Sequence, residues 1–132
     1  MILINDNLKP YLEDKLEHIP DDSVFIGHID DEDGSILAVA GFGHHSKYDC
    51  EGFGAGEKDR KWWTPEFMTA VYRMAFEALK KERITVRIQA DRENVIKLVE
   101  RNGFVREGTI RNGLGDKDVA LLGLIKSECR YL

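Results

Sequence analysis

The sequence lacks most of the features that mark specialised classes of protein. Its two cysteines, Cys50 and Cys129, provide neither a disulfide framework nor the spacing of a zinc site. No apolar run approaches the roughly 20 residues that a membrane-spanning helix needs. Residues 1–6 have neither the basic region nor the apolar core of a signal peptide. These absences predict a protein of the reducing cytoplasm that makes no contact with a membrane.

Charge is unevenly distributed along the 132 residues. Residues 1–57 contain 3 basic and 13 acidic side chains, a balance of −10, whereas residues 58–132 contain 16 basic and 11 acidic ones, a balance of +5. A polyphosphate ligand would prefer the second part and a cationic substrate the first. Acidic loops can also serve solubility alone. No concentrated basic stripe is present, so nucleic-acid binding is not expected.

Hydrophobic periodicity predicts one α/β (α+β) domain over residues 1–132. Apolar residues at helical spacing indicate helices, alternation indicates strands, and Asp33-Gly34 indicates a hairpin between the first two strands. The predicted helices span residues 7–18, 64–81 and 92–102. The predicted strands form a mixed sheet of about six strands and span residues 24–30, 36–44, 48–58, 84–91, 103–111 and 119–126.

The third predicted strand carries glycine at three alternate positions, Gly52, Gly54 and Gly56. Glycine weakens a strand, so this alternation indicates a bulge or a backbone that another group approaches closely. The spacing differs from the Gly-x-Gly-x-x-Gly pattern of dinucleotide-binding folds. The alternative is a glycine-rich edge strand that is packed under an aromatic side chain such as Trp62 or Trp63.

The longest predicted helix begins at Thr64-Pro65. The Thr64 hydroxyl can cap the helix, and Pro65 suits its first position because the missing N–H would have been unpaired there. The other unpaired N–H groups and the positive end of the helix dipole favour phosphate oxygens. Lys58, Arg60 and Lys61 precede this helix start and add positive charge. The alternative is an ordinary capped amphipathic helix with charged flanks.

Residues 84–111 form a strand, a short helix and a second strand that ends in Gly103-Phe104-x-x-Glu-Gly-x-x-Arg. Asn102-Gly103 ends the helix, because glycine adopts the left-handed conformation without steric cost. This pattern resembles the closing βαβ unit of the GNAT acyltransferases, which use acyl-coenzyme A. The resemblance covers about residues 24–132. It implies the GNAT fold, a twisted mixed sheet with helices on both faces and splayed parallel strands at its centre.

The resemblance also implies a binding site for acetyl-coenzyme A and no metal. The pantetheine arm would pair with the strand backbone at Gly54, Ala55 and Gly56. The phosphates would meet the loop after this strand, where the family usually has a glycine-containing signature. Here the loop is instead similar to a bacteriophage-type branch with an Arg-Trp-x-Thr turn, and its candidate contacts are Lys58, Arg60, Lys61, Trp62, Trp63 and Thr64. Arg92 falls where the family usually has a coenzyme-contacting Asn, and Asn94 follows it.

Acyl transfer to an amine needs a group that removes the proton of the amine. The resemblance favours Glu51 as this base, because family members often carry an acidic residue on the central strand. Second candidates lie near the end of the preceding strand and at the start of this one: His44, His45 and Asp49. The usual general-acid tyrosine falls on Val99, which leaves Tyr131 as an outside candidate. A zinc site of His44, His45, Asp49 and Cys50 is disfavoured by their spacing.

We therefore expect an acetyl-coenzyme A-dependent N-acetyltransferase in which a primary amine attacks the thioester directly within a ternary complex. The amine belongs to a small molecule or a protein. The N-terminal section is short for the family, so the acceptor site is either open or completed by a second copy in a homodimer. The alternative is a phage protein that keeps the fold without the chemistry, and binds coenzyme A or a host protein. The unusual phosphate loop and the missing tyrosine favour that alternative.

Overall fold

The computed structural model describes all 132 residues and places seven strands in one mixed sheet. The strands are β1 (Ile2–Ile4), β2 (Val24–Ile29), β3 (Ile36–Gly43), β4 (Asp49–Gly56), β5 (Arg83–Gln89), β6 (Val105–Ile110) and β7 (Val119–Ile125). The helices are α1 (Lys9–Glu13), α2 (Pro65–Arg73) and α3 (Glu93–Arg101), with 3-10 turns at Asp6–Leu8 and Lys126–Glu128. The order across the sheet is β1-β2-β3-β4-β5-β7-β6. The predicted fold class is therefore confirmed.

Helices cover the two faces of the sheet unequally. The connections β4–α2–β5 and β5–α3–β6 join parallel strands and run in the same direction across the sheet, so right-handed crossovers place α2 and α3 on one face. The main core lies beneath them and includes Phe67, Phe76, Ile84, Ile96 and Leu122. On the other face, Leu8 and Leu12 cover β2 and β3. None of the helices combines the length and the apolarity that spanning a membrane requires.

The central strands β4 and β5 are parallel, but they pair at only three positions. The pairs are Asp49–Arg83, Cys50–Ile84 and Glu51–Thr85. Beyond these pairs, β4 continues to Gly56 and β5 to Gln89 without a register between them. The strands therefore diverge after Glu51, as the predicted splay requires. We call the opening between residues 52–56 and residues 86–89 the β4–β5 cleft.

The N-terminal helix is shorter than the predicted range 7–18, because α1 ends at Glu13. Leu16 and Ile19 still pack against the smaller core, but they do so from the irregular segment that follows α1. Glu13, Asp14 and Glu17 explain the early end, since the negative pole of the dipole disfavours acidic residues at the C-terminus of a helix.

Strand β1 is a seventh strand that the sequence did not indicate. It pairs antiparallel with β2, from Ile2–His28 to Ile4–Ile26. The α-amino group of Met1 extends this pairing and donates to the Ile29 carbonyl at 2.9 Å. Three residues are too few to show the alternation by which a strand is recognised.

The predicted helix over residues 64–81 begins as expected, with Thr64 as its N-cap, but α2 gives way to a π-helical turn over Met74–Ala78. Met74, Ala75 and Phe76 are all buried. Three consecutive residues of a regular α-helix do not share one face, so the wider turn allows all three to reach the core.

Replacing Thr64 by alanine should lower the free energy of unfolding by about 1 kcal/mol. The Thr64 hydroxyl accepts the Phe67 N–H at 3.2 Å, and alanine leaves that N–H without a partner. In a domain of this size the loss corresponds to a decrease of about 3–6 °C in Tm, measurable by circular dichroism. Thr64→Ser is the control, since it keeps the cap and should unfold close to the wild type. An alanine variant as stable as the serine variant would show that the cap contributes nothing.

Candidate active site

The three alternating glycines of β4 line the β4–β5 cleft. The Glu57 N–H donates to the Leu37 carbonyl of the β3 side at 2.8 Å, and backbone direction alternates along a strand. The backbone N–H and C=O groups of Gly52, Gly54 and Gly56 therefore point away from β3 and toward the cleft. Gly54 is exposed although its strand is central in the sheet. Gly54 and Gly56 lie beyond the last pair with β5, so the cleft offers an unpaired strand edge at these two residues.

Packing also explains two of these glycines. A Cβ atom on Gly56 would lie 2.2 Å from the Trp62 indole, which therefore covers the end of β4. Such packing under Trp62 or Trp63 is the alternative explanation of the glycines that the sequence indicated. A Cβ atom on Gly54 would lie 2.8 Å from the Val39 carbonyl oxygen. The backbone of Trp62 is also held in place, since its carbonyl accepts the His28 Nδ1–H at 2.9 Å.

The predicted phosphate-binding residues follow the ends of β4 and β5, which lie at the same edge because these strands are parallel. Lys58 and Lys61 are exposed, and so are Arg92 and Asn94 at the start of α3. Arg60 differs from the prediction in its surroundings, because its guanidinium forms an ion pair with Asp30. Trp63 contacts Trp62 with their ring centroids 5.0 Å apart. The basic residues outside this ion pair can therefore meet an anion at the mouth of the cleft.

Glu51 is the last residue of β4 that pairs with β5, so it lies at the vertex of the cleft. Its side chain is 17% exposed, and both carboxylate oxygens are occupied. Oε1 lies 3.0 Å from the Nε of Arg87, and Oε2 lies 3.0 Å from the Nδ1 of His44. Arg87 belongs to β5 beyond the last pair, so this ion pair bridges the diverging strands. Arg87 alternates with the apolar residues of β5 in the sequence, but the sequence could not show which strand its side chain would meet.

Of the other candidates for proton transfer, His44 contacts Glu51, whereas His45 and Tyr131 have other partners. The Nε2 of His45 is 3.0 Å from the Phe42 carbonyl, so adjacent histidines have different partners. The Tyr131 hydroxyl donates to Asn102 at 2.8 Å, and its ring stacks on Tyr72 of α2. This places Tyr131 on the face that α2 and α3 cover. Glu51 points to the opposite face, so the structure does not bring these two residues together.

Cys50 is adjacent to Glu51 but points into the main core, where it is fully buried. Burial, reinforced by the charge of Asp49, raises the pKa of the Cys50 thiol to about 12. Only the thiolate is an effective nucleophile. Cys50 is therefore not a candidate for carrying a covalent acyl intermediate.

A second ion pair on the same face joins Arg83 of β5 to Glu107 of β6. The Nη2 and Nη1 atoms of Arg83 lie 2.5 and 3.1 Å from the two Glu107 oxygens. This fork holds the pKa of Glu107 below its ordinary value of 4.5. The pair lies across Gly123 of β7, where a Cβ would be 2.4 Å from the guanidinium.

Because the pKa of Glu107 is lowered on folding, its contribution to stability should be complete above the ordinary pKa and lost as the pH falls through the folded-state pKa. Solvent screens this part-exposed pair, so the effect should stay below about 1 kcal/mol. We expect Glu107→Gln to be slightly less stable than the wild type at pH 7 and equal to it at the acid end. Urea unfolding at pH 7, 5 and 3 measures this difference. A difference that does not change with pH would contradict the assignment.

A surface pocket of about 350 Å³ lies outside the cleft, between the end of β5 and the β6–β7 loop. One of its carboxylates, Asp91, accepts hydrogen bonds from Gln89 at 2.6 Å and Lys117 at 3.2 Å. Because these partners already balance Asp91, the pocket does not combine an unpaired backbone edge with acid–base residues. The β4–β5 cleft does combine them.

No protein-family model and no curated protein sequence matches the chain. Solved structures do match it. A mutant form of the spermidine N-acetyltransferase SpeG from Vibrio cholerae matches with a TM-score of 0.72 at 16% identity, over 96% of this chain and 76% of that chain. A dodecameric structure of spermidine N-acetyltransferase from the same organism matches with a TM-score of 0.71 at 14% identity, over 92% of this chain and 74% of that chain. An acetyltransferase of the GNAT family from Bacillus anthracis matches with a TM-score of 0.67 at 16% identity, over 79% of this chain and 67% of that chain. With the strand order and the divergence of β4 from β5, these likenesses show that the chain has the GNAT fold.

Proposed function

We propose that residues 1–132 form one acetyl-coenzyme A-dependent N-acetyltransferase domain that acts on a primary amine. The observation that carries this proposal is the divergence of β4 from β5 directly after Glu51. It leaves glycine backbones facing an open cleft, with a carboxylate, an imidazole and a guanidinium at the vertex. The chemistry of the structural neighbours, which are named as acetyltransferases, supports it further.

The residues around the cleft fit acetyl-coenzyme A. Backbone groups of Gly54 and Gly56 face the cleft and could pair with the amides of the pantetheine arm, with Ala55 between them. Exposed lysine and arginine side chains at the mouth suit phosphate oxygens. The residues that would hold the phosphates are Lys58, Arg60, Lys61, Thr64, Arg92 and Asn94, with Trp62 and Trp63 beside them. Arg60 would have to exchange its partner Asp30 for a phosphate.

Transfer would proceed by direct attack of the amine on the thioester. Burial of Cys50 removes the nearest thiol as a covalent carrier. The proton of the amine would leave at Glu51, directly or through water or His44. A backbone N–H of β4 could stabilise the oxyanion, since this needs no particular side chain. Coenzyme A would leave with help from water, because Val99 stands at the usual tyrosine position and Tyr131 is held by Asn102.

A second candidate function is a binding module that keeps the fold without catalysis. Trp62 covers Gly56, and Arg60 forms an ion pair with Asp30. Part of the proposed coenzyme site is therefore already in contact with the protein itself. The likeness of residues 58–64 to a bacteriophage-type turn suggests a phage protein acting in the host cytoplasm, on coenzyme A or on a host protein.

Calorimetric titration with acetyl-coenzyme A, followed by free-thiol release across a panel of amines, separates these functions. The panel should include a polyamine, an aminoglycoside, a lysine peptide and a free N-terminal peptide, because the acidic N-terminal half favours cations without choosing among them. We expect binding and amine-dependent thiol release. Binding without release would leave the coenzyme-binding module. No binding at high micromolar ligand would remove both the enzyme and the coenzyme-binding module, and would leave the module that binds a host protein.

A further inference from the structure

His44 has a strained backbone at the edge of the candidate active site. It follows β3 directly and has a φ of +49°, in the left-handed region that non-glycine residues seldom adopt. Such a conformation is energetically costly and persists only where its surroundings impose it. Its side chain is 55% exposed, so packing of the imidazole is not the reason for the strain.

A carboxylate clamp imposes this conformation. The two oxygens of Asp22 accept the backbone N–H groups of His44 and His45, each at 2.8 Å. The hydrogen bond from the His45 N–H, together with that from His44, holds the pKa of Asp22 below its ordinary value. Lys81, only 7% exposed, donates to the Ser46 carbonyl and anchors the next part of the turn. The turn is therefore fixed from two other parts of the chain.

The clamp directs the His44 ring toward Glu51. A carboxylate oxygen can only accept, so the Nδ1 at 3.0 Å from Glu51 carries the proton. In the neutral imidazole this leaves the lone pair on Nε2. Arg87 balances the charge of Glu51, so the carboxylate does not require a protonated His44 as its counter-ion. The ring of His18 also faces this ring, with the two centroids 5.8 Å apart, and Asp22 lies at the backbone of His44.

We propose that the Nε2 of His44 is the general base of the acetyl transfer, that Glu51 orients it, and that Asp22 is a positioning residue. This inference rests on the proposed function. His44 would take one proton from the ammonium group, and the amine nitrogen would then form a bond to the thioester carbonyl carbon. The C–S bond breaks, the second proton of the nitrogen reaches the thiolate through water, and His44 returns its proton to solvent. The sum is an N-acetyl amide, coenzyme A and one proton.

Both oxygens of Glu51 are engaged and its side chain is 17% exposed, against 55% for His44. An imidazole with one nitrogen oriented by a carboxylate and the other free has the arrangement of an activated base. These contrasts assign the removal of the proton from the substrate ammonium group to His44 rather than directly to Glu51.

His44→Gly is the sharpest test, because glycine adopts φ of +49° freely and so preserves the turn. We expect thiol release to fall by about 10²–10⁴-fold in kcat, with unchanged affinity for acetyl-coenzyme A. The acid limb of the pH profile of kcat/KM should disappear, and added imidazole should restore part of the rate. His18→Gln, the control, should keep both rate and profile.

Asp22→Asn tests the positioning role. We expect it to lower kcat in the wild-type background and to add nothing in the His44→Gly background, because no ring remains to be oriented. Equal losses in the two backgrounds would make Asp22 merely structural. A His44→Gly variant that keeps its rate and acid limb, or that loses acetyl-coenzyme A binding, would overturn the base assignment while the proposed function stands. A wild type that releases no thiol with any amine would instead overturn the proposed function itself.

Discussion

We expect Glu51→Gln to lower kcat for acetyl transfer by about 10²–10⁴-fold, with acetyl-coenzyme A affinity close to that of the wild type. The amide matches the carboxylate in size, but it has one acceptor oxygen for two donors. Its NH₂ group would face either Arg87 or His44, both of which donate to Glu51 in the wild type. The negative charge that would stabilise a protonated His44 is also lost. The loss is expected whether Glu51 takes the proton or orients the group that does.

Glu107→Gln is the matched control for this variant. It makes the same chemical change in another glutamate–arginine pair on the same face of the sheet, away from the vertex of the cleft. We expect Glu107→Gln to keep kcat. Steady-state kinetics and calorimetric titration of both variants separate catalysis from binding. Full activity of Glu51→Gln, or equal losses in the two variants, would remove Glu51 from the mechanism.

The second large effect is expected at Gly56, where alanine should weaken acetyl-coenzyme A binding by at least about tenfold, or roughly 1.4 kcal/mol. The new Cβ would lie 2.2 Å from the Trp62 indole, far inside a normal contact. The indole must therefore leave the position that it holds over the end of β4. The overpacking should also lower the free energy of unfolding by about 1–3 kcal/mol.

Gly108→Ala is the control for the Gly56 variant. Gly108 also lies in a strand, but a Cβ there would meet no atom within 4 Å. We expect Gly108→Ala to bind acetyl-coenzyme A as the wild type does. Calorimetric titration and urea unfolding of the two variants distinguish loss of binding from general destabilisation. Unchanged affinity in Gly56→Ala would show that the position of Trp62 does not matter for the coenzyme.

The sequence was most informative where one segment carries its own pattern. The alternation of β5, the helical spacing of α3 and the stop at Asn102-Gly103 are local, and the structure reproduces them. The hairpin at Asp33-Gly34 is equally local, with Gly34 at a φ of +73°. Where dipole effects oppose apolar spacing, as at Glu13 to Glu17, the pattern alone overestimated the helix.

The candidate site was less accessible because its contacts join distant segments. Glu51 and the glycines were visible as residues, but the pairing of Glu51 with Arg87 depends on which strands become neighbours and on where they part. The clamp of Asp22 on the turn at His44 spans 22 residues. Left-handed backbone at a histidine has no sequence signal comparable to a glycine, so this positioning device appears only in three dimensions.

The central claim is that acetyl-coenzyme A occupies the β4–β5 cleft, and amide chemical shifts measured during a titration test it most directly. We predict saturable shifts concentrated at Gly52, Gly54 and Gly56 and at the Trp62 indole N–H, with β1 and β6 unaffected. Shifts confined to the pocket around Asp91 and Lys117, or no shifts at millimolar acetyl-coenzyme A, would contradict the account.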